Sequence, residues 1–391
     1  MKVVHVAAYF APAFGFGGPP RSLLTLCQVQ QAAGMEVEVF TTTANPGREL
    51  PARPEGEIVD GVRVRRFVRG APRAWLGAPT MAAPLEAAAR EAGVLHLHGL
   101  FNRTIWMAGR IARQAGATYV VSPRGMLEPA ALRHHQWRKR VAYALCDGSV
   151  LAHAACWHAT SPGEAQTLMA RPGARPVVEI PNSVDAIDAT AAMRAQARAA
   201  AGLTDRPYVL FLGRLHPIKR LDLLAEAFAD VAATHPGIDL VIAGPDEAGY
   251  GAQMRERMAA LGARVHWLGA VEGDVKAGLL AGARALVMCS DSESFGMSVA
   301  EALAAGTPAV VTRTCPWPSL DAAGAGFWVP QERAAIAEAL RRLVDDAALA
   351  EAMGARGRAL VAREFSAAAV AERWRDCYAR VAAGRGSVAP S

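Results

Sequence analysis

Two carboxylates on either side of a glycine-containing loop form the most informative pattern in the sequence. Glu293 and Glu301 enclose the string Ser-Phe-Gly-Met-Ser-Val-Ala. The pattern predicts a loop around Glu293 after a strand at Ala285–Met288, and a helix from about Met297 that ends before Gly306. Glu293 can then accept hydrogen bonds from sugar hydroxyls. Glu301, one turn into the helix, can hold two vicinal ribose hydroxyls.

The backbone between these carboxylates offers a place for an anion. The first N–H groups of a helix have no partner inside it, and such groups bind anions. Here they belong to Phe295, Gly296 and Met297, and Ser294 lies in the same loop. We expect the segment to face a phosphate. The alternative is an ordinary surface loop with two solvated acids.

Two cations stand in a second string, Gly-Arg-Leu-His-Pro-Ile-Lys-Arg at 213–220. It follows a predicted strand at Tyr208–Leu212 and opens a predicted helix at Leu221–Thr234. Arg214 at the strand end and Lys219 before the helix can converge on a diphosphate. Negative charge builds up there when a glycosyl–phosphate bond breaks, and fixed cations stabilise it. The alternative is a basic loop that caps a helix.

Together the two strings resemble the retaining glycosyltransferases of the GT-B class, family 4. That family has a Gly-Arg-…-Lys loop and a Glu-x7-Glu motif in its C-terminal domain. Four further segments are similar in order, and Ser183 in the second of them replaces a family glycine; they are 159–164, 180–185, 242–246 and 265–269. The resemblance covers about residues 1–380 and is strongest from 207 to 312.

The resemblance implies a role for each matching residue. Arg214 and Lys219 would stabilise the leaving diphosphate, and Glu293 would orient the sugar. The segments at 242–246 and 265–269 would lie near the nucleotide base. The residues that would contact the donor are Gly17, Gly18, Gly244, Pro245, Leu268, Gly269, Ser294, Phe295, Gly296, Met297 and Glu301.

The first half of the chain contains a glycine pair after its first predicted strand. Gly17, Gly18 and Arg21 belong to Gly-Gly-Pro-Pro-Arg, and a helix is expected from about Ser22. Glycines let the backbone approach a ligand closely. The family has such a pair near the donor phosphates and the acceptor, and we assign Arg21 to the acceptor. A simple turn is the alternative.

Two further strand ends supply polar side chains. His98 ends a predicted strand at Val94–His98 and matches the histidine that the family has beside the donor sugar, whereas His96 lies deeper and is expected to be buried. Arg124 follows the next strand, where many family members have histidine. Its planar fork can bind an acceptor phosphate or carboxylate, with Glu128 nearby. The alternative is a loop arginine paired with Glu128.

Alternation of strands and helices predicts an α/β fold with parallel sheets. The length of 391 residues exceeds one ordinary core. We predict two Rossmann-like doubly wound domains that face an interdomain cleft, as in GT-B enzymes. Residues 1–185 would bind the acceptor and residues 186–366 the nucleotide-sugar donor, and the helix at Ala367–Ala383 would pack back on the first domain.

The six cysteines are scattered, and His and Cys do not cluster at metal-ligand spacing along the chain. We therefore expect reduced thiols, a cytoplasmic protein, no metal and no cofactor, since the nucleotide sugar is a co-substrate. Pro12 and the glycines after it argue against a signal peptide. The sequence has no run of the roughly 18–20 apolar residues that a membrane span needs.

The excess of positive over negative charge lies entirely in the first half of the chain. Residues 1–185 carry 20 Lys and Arg against 13 Asp and Glu, whereas residues 186–391 carry 22 against 23. The basic run at 133–140, with Trp137 inside it, is typical of a helix at an anionic membrane surface. A solvated helix face is the alternative, and a nucleic-acid partner is not expected because no nucleic-acid fold accompanies the run.

The expected reaction is transfer of a sugar, with retention, from a nucleoside diphosphate to a hydroxyl acceptor. The resemblance implies that the departing diphosphate deprotonates the acceptor. The acceptor would be a saccharide or lipid-linked saccharide in bacterial surface polysaccharide or glycolipid synthesis. A peripheral position at the inner face of the cell membrane is the alternative to a purely cytoplasmic one. The rival hypotheses are a nucleotide-sugar epimerase on the same fold and a non-catalytic nucleotide-sugar-binding subunit.

Overall fold

A computed structural model describes residues 1–133, 136–246 and 249–384. These residues form two compact units. The N-terminal unit contains Met1–Ser183 and the chain from Ala367 onward, and the C-terminal unit contains Val184–Ser366. The predicted junction at 185 and 186 lies two residues from the observed one. Most side chains of the basic run at 133–140 lie outside the described residues.

Eight strands form the sheet of the N-terminal unit. They are β1 (Lys2–Ala7), β2 (Glu36–Thr42), β3 (Arg53–Val59), β4 (Val62–Phe67), β5 (Val94–His98), β6 (Tyr119–Ser122), β7 (Cys156–Ala159) and β8 (Val177–Glu179). Their spatial order is β3-β4-β2-β1-β5-β6-β7-β8, and β3 with β4 is the antiparallel pair. Successive strands are therefore added in one direction from β1 and in the opposite direction from β5, although β1 and β5 themselves are parallel. Sheets of this kind bind ligands at the position where this change occurs.

Helices cover both faces of this sheet. They are α1 (Gly18–Ala32), α2 (Ala82–Glu91), α3 (Arg103–Gln114), α4 (Pro129–Arg133), α5 (Gln136–Ala142), α6 (Gly148–Ala152) and α7 (Pro162–Met169). Helix α1 begins at Gly18 and not near Ser22 as expected. Prolines 19 and 20 occupy its first turn, where a missing N–H costs nothing.

The C-terminal unit also has a sheet, which consists of six strands. They are β9 (Tyr208–Leu212), β10 (Asp239–Ala243), β11 (Val265–Leu268), β12 (Ala285–Met288), β13 (Ala309–Thr312) and β14 (Gly326–Val329). All pairs are parallel, in the order β11-β10-β9-β12-β13-β14. The reversal of direction falls between β9 and β12, whose following loops carry the two motifs that the sequence analysis singled out.

Eight helices surround the second sheet in the described residues. They are α8 (Ala191–Ala200), α9 (Leu221–Thr234), α10 (Tyr250–Arg257), α11 (Gly273–Gly282), α12 (Met297–Ala304), α13 (Ser319–Ala323), α14 (Arg333–Asp345) and α15 (Ala347–Leu360). The core strands β10 and β12 are buried along their whole length. Such continuous burial is typical of parallel strands that helices cover on both faces.

The last helix, α16 (Ala367–Ala382), belongs to the N-terminal unit. Trp374 and Tyr378 are fully buried, and they share a core cluster with residues of α1, β1 and β5. The helix thus supplies two large aromatic side chains to a core whose strands come from the start of the chain.

All six cysteines are free thiols, and Cys146 alone among them is partly exposed. Within the described ranges, no helix combines the length and the apolar character that would let it cross a bilayer.

Candidate active site

The loops at the carboxyl ends of β9 and β12 are tied together by hydrogen bonds. The amide of Asp291 donates to the carbonyl of Ile218 at 2.8 Å, and Arg220 Nη1 lies 3.1 Å from Asp291 Oδ1. Arg220 has a left-handed backbone with φ of 53°. These contacts fix the loop that carries Lys219 against the loop that carries Glu293.

Lys219 and Glu293 form an ion pair in this place. Lys219 Nζ donates to Glu293 Oε1, and Ser290 Oγ donates to the same oxygen at 2.9 Å. The two side chains are only 16% and 13% exposed, so the pair is largely shielded from water. Such shielding strengthens the field that a cation exerts on a nearby phosphate. Arg214 is half-buried at the end of β9, in the same loop as Lys219.

The second carboxylate, Glu301, forms an ion pair with a different lysine. Lys276 Nζ of α11 donates to Glu301 Oε1 of α12 at 2.7 Å, and both side chains are mostly buried. Lys276 was not predicted from the sequence, because it lies 25 residues from Glu301 and outside the matched strings.

Helix α12 begins at Met297 after Gly296, whose φ is 86°. A Cβ at Gly296 would lie 2.9 Å from Trp317 Nε1, so only glycine fits. The ring of Phe295 is buried beside Trp317, and the backbone carbonyl of Phe295 accepts a hydrogen bond from Trp317 Nε1 at 2.6 Å. Among the described residues, no backbone carbonyl accepts from the amides of Gly296 and Met297. Phe295 therefore stabilises the loop through packing and through its backbone carbonyl.

The remaining predicted donor contacts come together at the ends of β10 and β11. The amide of Gly244 donates to the carbonyls of Leu268 and Gly269 at 3.3 and 3.0 Å, and the carbonyl of Pro245 accepts from Leu215. A Cβ at Gly244 would lie 1.8 Å from the carbonyl oxygen of Gly213. The three loops are packed backbone to backbone, and Ser294 is half-buried in the fourth, after β12.

A pocket opens at the carboxyl ends of β1 and β5 in the N-terminal unit. Its lining includes Pro19, Leu23, His98 and Arg124. Gly17, with φ of 91°, and Gly18 form the start of α1 beside this lining.

Arg21, Arg124 and Glu128 are the three residues predicted to bind the acceptor. Arg21 is exposed, and its guanidinium lies 4.4 Å from the centre of the Phe14 ring. Glu128 is half-buried, four residues after Arg124, and its amide donates to the carbonyl of Gly125. Arg124 alone of the three lines the pocket.

Arg124 is held at the pocket wall by two partners. Its Nη1 donates to Ser22 Oγ at 3.1 Å, and its Nε and Nη2 lie 3.3 Å from His98 Nδ1. Burial lowers the pKa of the guanidinium, and the nearby charge of Glu164 opposes that effect. The carboxylate of Glu164 is itself fixed by hydrogen bonds from Thr160 and from the amide of Gly125.

His98 belongs to a buried group of four histidines, which also includes His5, His96 and His158. Burial lowers the pKa of each imidazole: to about 4 for His5, to about 3 for His158, and well below the ordinary value for His96 and His98. Charge on Arg124 adds to the effect at all four. The histidines are therefore neutral at physiological pH, and His96 is buried as predicted.

Three of these histidines meet the spacing of metal ligands. One ring nitrogen each from His5, His96 and His98 lies within 4.8 Å of the others. The sequence spacing did not reveal this cluster, because β1 and β5 contribute its members from distant positions. However, all six ring nitrogens already take part in hydrogen bonds, and Arg124 places positive charge beside them. The arrangement suits a hydrogen-bonded network better than a cation.

Comparisons with known proteins agree with this division of the chain. Residues 17–183 match the Glycosyl transferase 4-like domain family, and residues 193–360 match the Glycosyl transferases group 1 family. The D-inositol 3-phosphate glycosyltransferase of Kineococcus radiotolerans is 30% identical, over 98% of this chain and 95% of its own. The enzyme of the same name from Streptomyces avermitilis is also 30% identical, over 90% and 81%.

Solved structures show the same architecture. Sucrose-phosphate synthase from Thermosynechococcus elongatus is 24% identical and superposes with a TM-score of 0.77, over 98% of this chain and 100% of its own. Anabaena HepE, solved in complex with UDP and glucose, is 18% identical with a TM-score of 0.76, over 97% and 99%. With two Rossmann-like α/β units and relatives of this kind, the chain belongs to the group 1 glycosyltransferases and has the GT-B type of fold.

Proposed function

We propose that the protein is a retaining hexosyltransferase that uses a nucleoside diphosphate sugar and a hydroxyl acceptor. The Lys219–Glu293 pair beside the start of α12 is the observation that carries this proposal. The pair supplies a cation for a phosphate and a carboxylate for sugar hydroxyls. Among the described residues, the amides of Gly296 and Met297 at the helix start have no backbone carbonyl as acceptor. UDP is the first nucleotide to test, because HepE was solved with UDP and glucose.

In the proposed reaction the bond between the anomeric carbon and the diphosphate oxygen breaks, and a bond from the acceptor oxygen forms on the same face. The departing diphosphate takes the acceptor proton. Lys219 has three N–H donors, so it can keep Glu293 and also contact a phosphate oxygen. Arg214 would share the developing charge, Glu293 would orient the sugar, and Glu301 would hold the ribose. His98 would line the anomeric side.

These cations would take the role that a metal ion has in other glycosyltransferases, so we propose that no metal is required. Chelation with EDTA should then leave turnover unchanged. A loss of turnover that Mg²⁺ or Mn²⁺ restores would contradict this part of the proposal.

The acceptor is proposed to carry an anionic group. Arg124 presents a planar fork in the pocket of the N-terminal unit, and the relatives at 30% identity are named for an inositol phosphate. Arg21 and Glu128 would contribute from α1 and from the loop after β6. A phosphorylated saccharide or lipid-linked saccharide fits this chemistry. We propose cytoplasmic action, at the inner face of the membrane where the acceptor is lipid-linked.

A donor panel followed by product analysis tests the proposal. Thermal shifts are measured with UDP, GDP, ADP and dTDP sugars, since a ligand at about 100 times its Kd stabilises by about 2.7 kcal/mol. The donor so found is then incubated with phosphorylated polyols and saccharides, and the anomeric configuration of the product is read by NMR. We expect acceptor-dependent release of the nucleotide and a retained configuration.

Two other outcomes would contradict the proposal. An altered sugar nucleotide formed without any acceptor would indicate an epimerase. Binding of the donor without turnover for any acceptor, together with unchanged binding in Lys219→Met, would indicate a non-catalytic subunit.

A further inference from the structure

The four buried histidines belong to one continuous series of hydrogen bonds inside the N-terminal unit. It starts at the pocket with Arg124 and ends at the carbonyl of Ile180. The bonds join Arg124 to His98 at 3.3 Å, His98 to His5 at 2.9 Å, His5 to Gln30 at 2.8 Å, Gln30 to Tyr378 at 3.0 Å, Tyr378 to His96 at 2.7 Å, His96 to Ser122 at 2.6 Å, Ser122 to His158 at 2.6 Å and His158 to Ile180 at 2.7 Å.

The pocket end of the series has a fixed direction. A guanidinium can only donate, so Arg124 makes His98 Nδ1 an acceptor. A neutral imidazole has one N–H, and that of His98 must then sit on Nε2 and donate to His5 Nδ1. By the same reasoning His5 Nε2 donates to Gln30 Oε1, which turns the amide nitrogen of Gln30 toward the hydroxyl of Tyr378.

The far end independently requires the same direction. The carbonyl of Ile180 can only accept, so His158 carries its proton on Nε2 and accepts from Ser122. Ser122 then accepts from His96 Nε2, and His96 Nδ1 accepts from the hydroxyl of Tyr378. That hydroxyl is left to accept from Gln30. Two separate anchors thus give one consistent assignment in which every donor faces an acceptor.

We propose that Tyr378, on the C-terminal helix, is a positioning residue that fixes His98 as a hydrogen-bond acceptor toward the pocket. Its hydroxyl is the link between the half that Arg124 anchors and the half that Ile180 anchors. When a ligand draws Arg124 away, the far anchor still holds His98 Nδ1 free of a proton through Tyr378, Gln30 and His5. The pocket wall at His98 therefore selects a ligand group that donates, such as a hydroxyl, over a carboxylate or phosphate oxygen.

The series orients His98 and does not conduct protons. A proton taken up at His98 Nδ1 could pass from His98 to His5, but the amide of Gln30 cannot relay it further. The low pKa of His5 and His98, caused mainly by burial, agrees with a network that stays neutral. Selection of the ligand's donor group rests on the proposed function, whereas the tautomer of His98 does not.

The test uses nitrogen NMR of ¹⁵N-histidine-labelled full-length protein without substrate. In wild type we expect His98 as the Nε2–H tautomer, favoured at least about tenfold, because the other tautomer would break a buried hydrogen bond. Each single variant, Arg124→Met or Tyr378→Phe, should keep this tautomer, since one anchor remains. The double variant should lose the tenfold preference and show a mixture.

The matched control combines Arg124→Met with Tyr119→Phe. Tyr119 is another buried tyrosine of this unit, and its hydroxyl donates to the carbonyl of Val150 at 2.7 Å, outside the series. This control should keep the single tautomer. If the Tyr378 double variant does not fold, Ser122→Ala with Arg124→Met cuts the series at another link and should give the same mixture.

Two results would overturn the proposal. A mixture in Arg124→Met alone would show that the far anchor does not reach His98. A single Nε2–H tautomer in both double variants that cut the series would show that Tyr378 has no part in it. Because no substrate is present, an absence of glycosyl transfer would leave these spectra unchanged, and the two proposals can fail separately.

Discussion

Replacing Lys219 by Met removes the cation beside Glu293 and keeps most of the aliphatic stem. The expected loss has two parts. Removing one fixed charge-stabilising group from a reacting centre lowers kcat by about 10²–10³. In addition, Glu293 keeps its bond from Ser290 and loses its charge partner, in a place where the carboxylate is only 13% exposed.

The stability cost lies between two known limits. Exposed ion pairs contribute about 0–1 kcal/mol, whereas removing one partner of a fully buried pair costs about 3–5 kcal/mol. With side-chain exposures of 16% and 13% for Lys219 and Glu293, we expect about 2 kcal/mol. For a unit of this size, that corresponds to about 4–8 °C in Tm.

Lys276→Met is the matched control for this variant. It removes the same charge from the same unit and also leaves a carboxylate, Glu301, without its lysine. Its stability loss should be similar. Since Glu301 is proposed to hold the ribose and not the reacting bond, its main kinetic effect should be a higher KM for the donor.

The assay measures nucleotide release at saturating donor and acceptor, together with urea unfolding of each variant. The expected result is a kcat at least about 30-fold lower in Lys219→Met than in Lys276→Met at comparable stability. Equal kcat values in the two variants would refute the role given to Lys219, because the loss would then follow from charge and packing alone.

Three further predictions concern other parts of the molecule. Arg214→Ala should lower kcat more than it raises KM for the donor; unchanged turnover would remove Arg214 from the reaction. Gly244→Ala should destabilise the C-terminal unit by more than about 3 kcal/mol in urea unfolding, because its Cβ would meet the carbonyl of Gly213 at 1.8 Å. Gly237→Ala, with open space around the new methyl group, should fold normally, and equal stability of the two would contradict the clash. His5 and His158 bind protons below about pH 6.5 in the unfolded chain but only near pH 4 or lower when folded, so their contribution to stability is complete well above pH 6.5 and falls as the pH drops. For each of these two histidines, the free energy of unfolding should fall between pH 6.5 and 5 with a slope that rises from about 0.7 toward about 1.4 kcal/mol per pH unit, and a flat urea midpoint in this range would contradict their burial as neutral groups.

Buried parallel strands were predictable because they are short apolar runs between turn residues. The structure has β5, β9 and β12 at the predicted bounds. Helices α9 and α16 likewise match their hydrophobic patterns closely.

The hairpin of β3 and β4 was missed, although its turn carries a signal. Most of β3 is exposed, and β4 alternates arginines with buried valines, so neither is an apolar run. Asp60 and Gly61 join them, with φ of 45° and 83°. An Asp-Gly pair with this left-handed backbone is the usual two-residue connection of a hairpin, and giving weight to that pair would have located both strands.

The site was predictable only where its residues lie close along the chain. The loops with Lys219 and Glu293 stand out by their motifs, and the parallel order of β9 and β12 explains why they meet. Lys276 and the histidine network depend on packing between distant segments; His96 and Tyr378, for example, are 282 residues apart. No local sequence pattern predicts such pairs, because the periodicity of a helix or strand relates only residues that lie close together along the chain.

The position of α16 has a consequence for how the protein is made. The strands of the N-terminal unit leave the ribosome first, but Trp374 and Tyr378 are needed to fill their core. Until α16 has been synthesised, His5 and His96 lack the hydroxyl of Tyr378 that joins their network. The C-terminal unit does not depend on a later segment, since Val184–Ser366 is continuous. It can therefore finish folding before the N-terminal unit does.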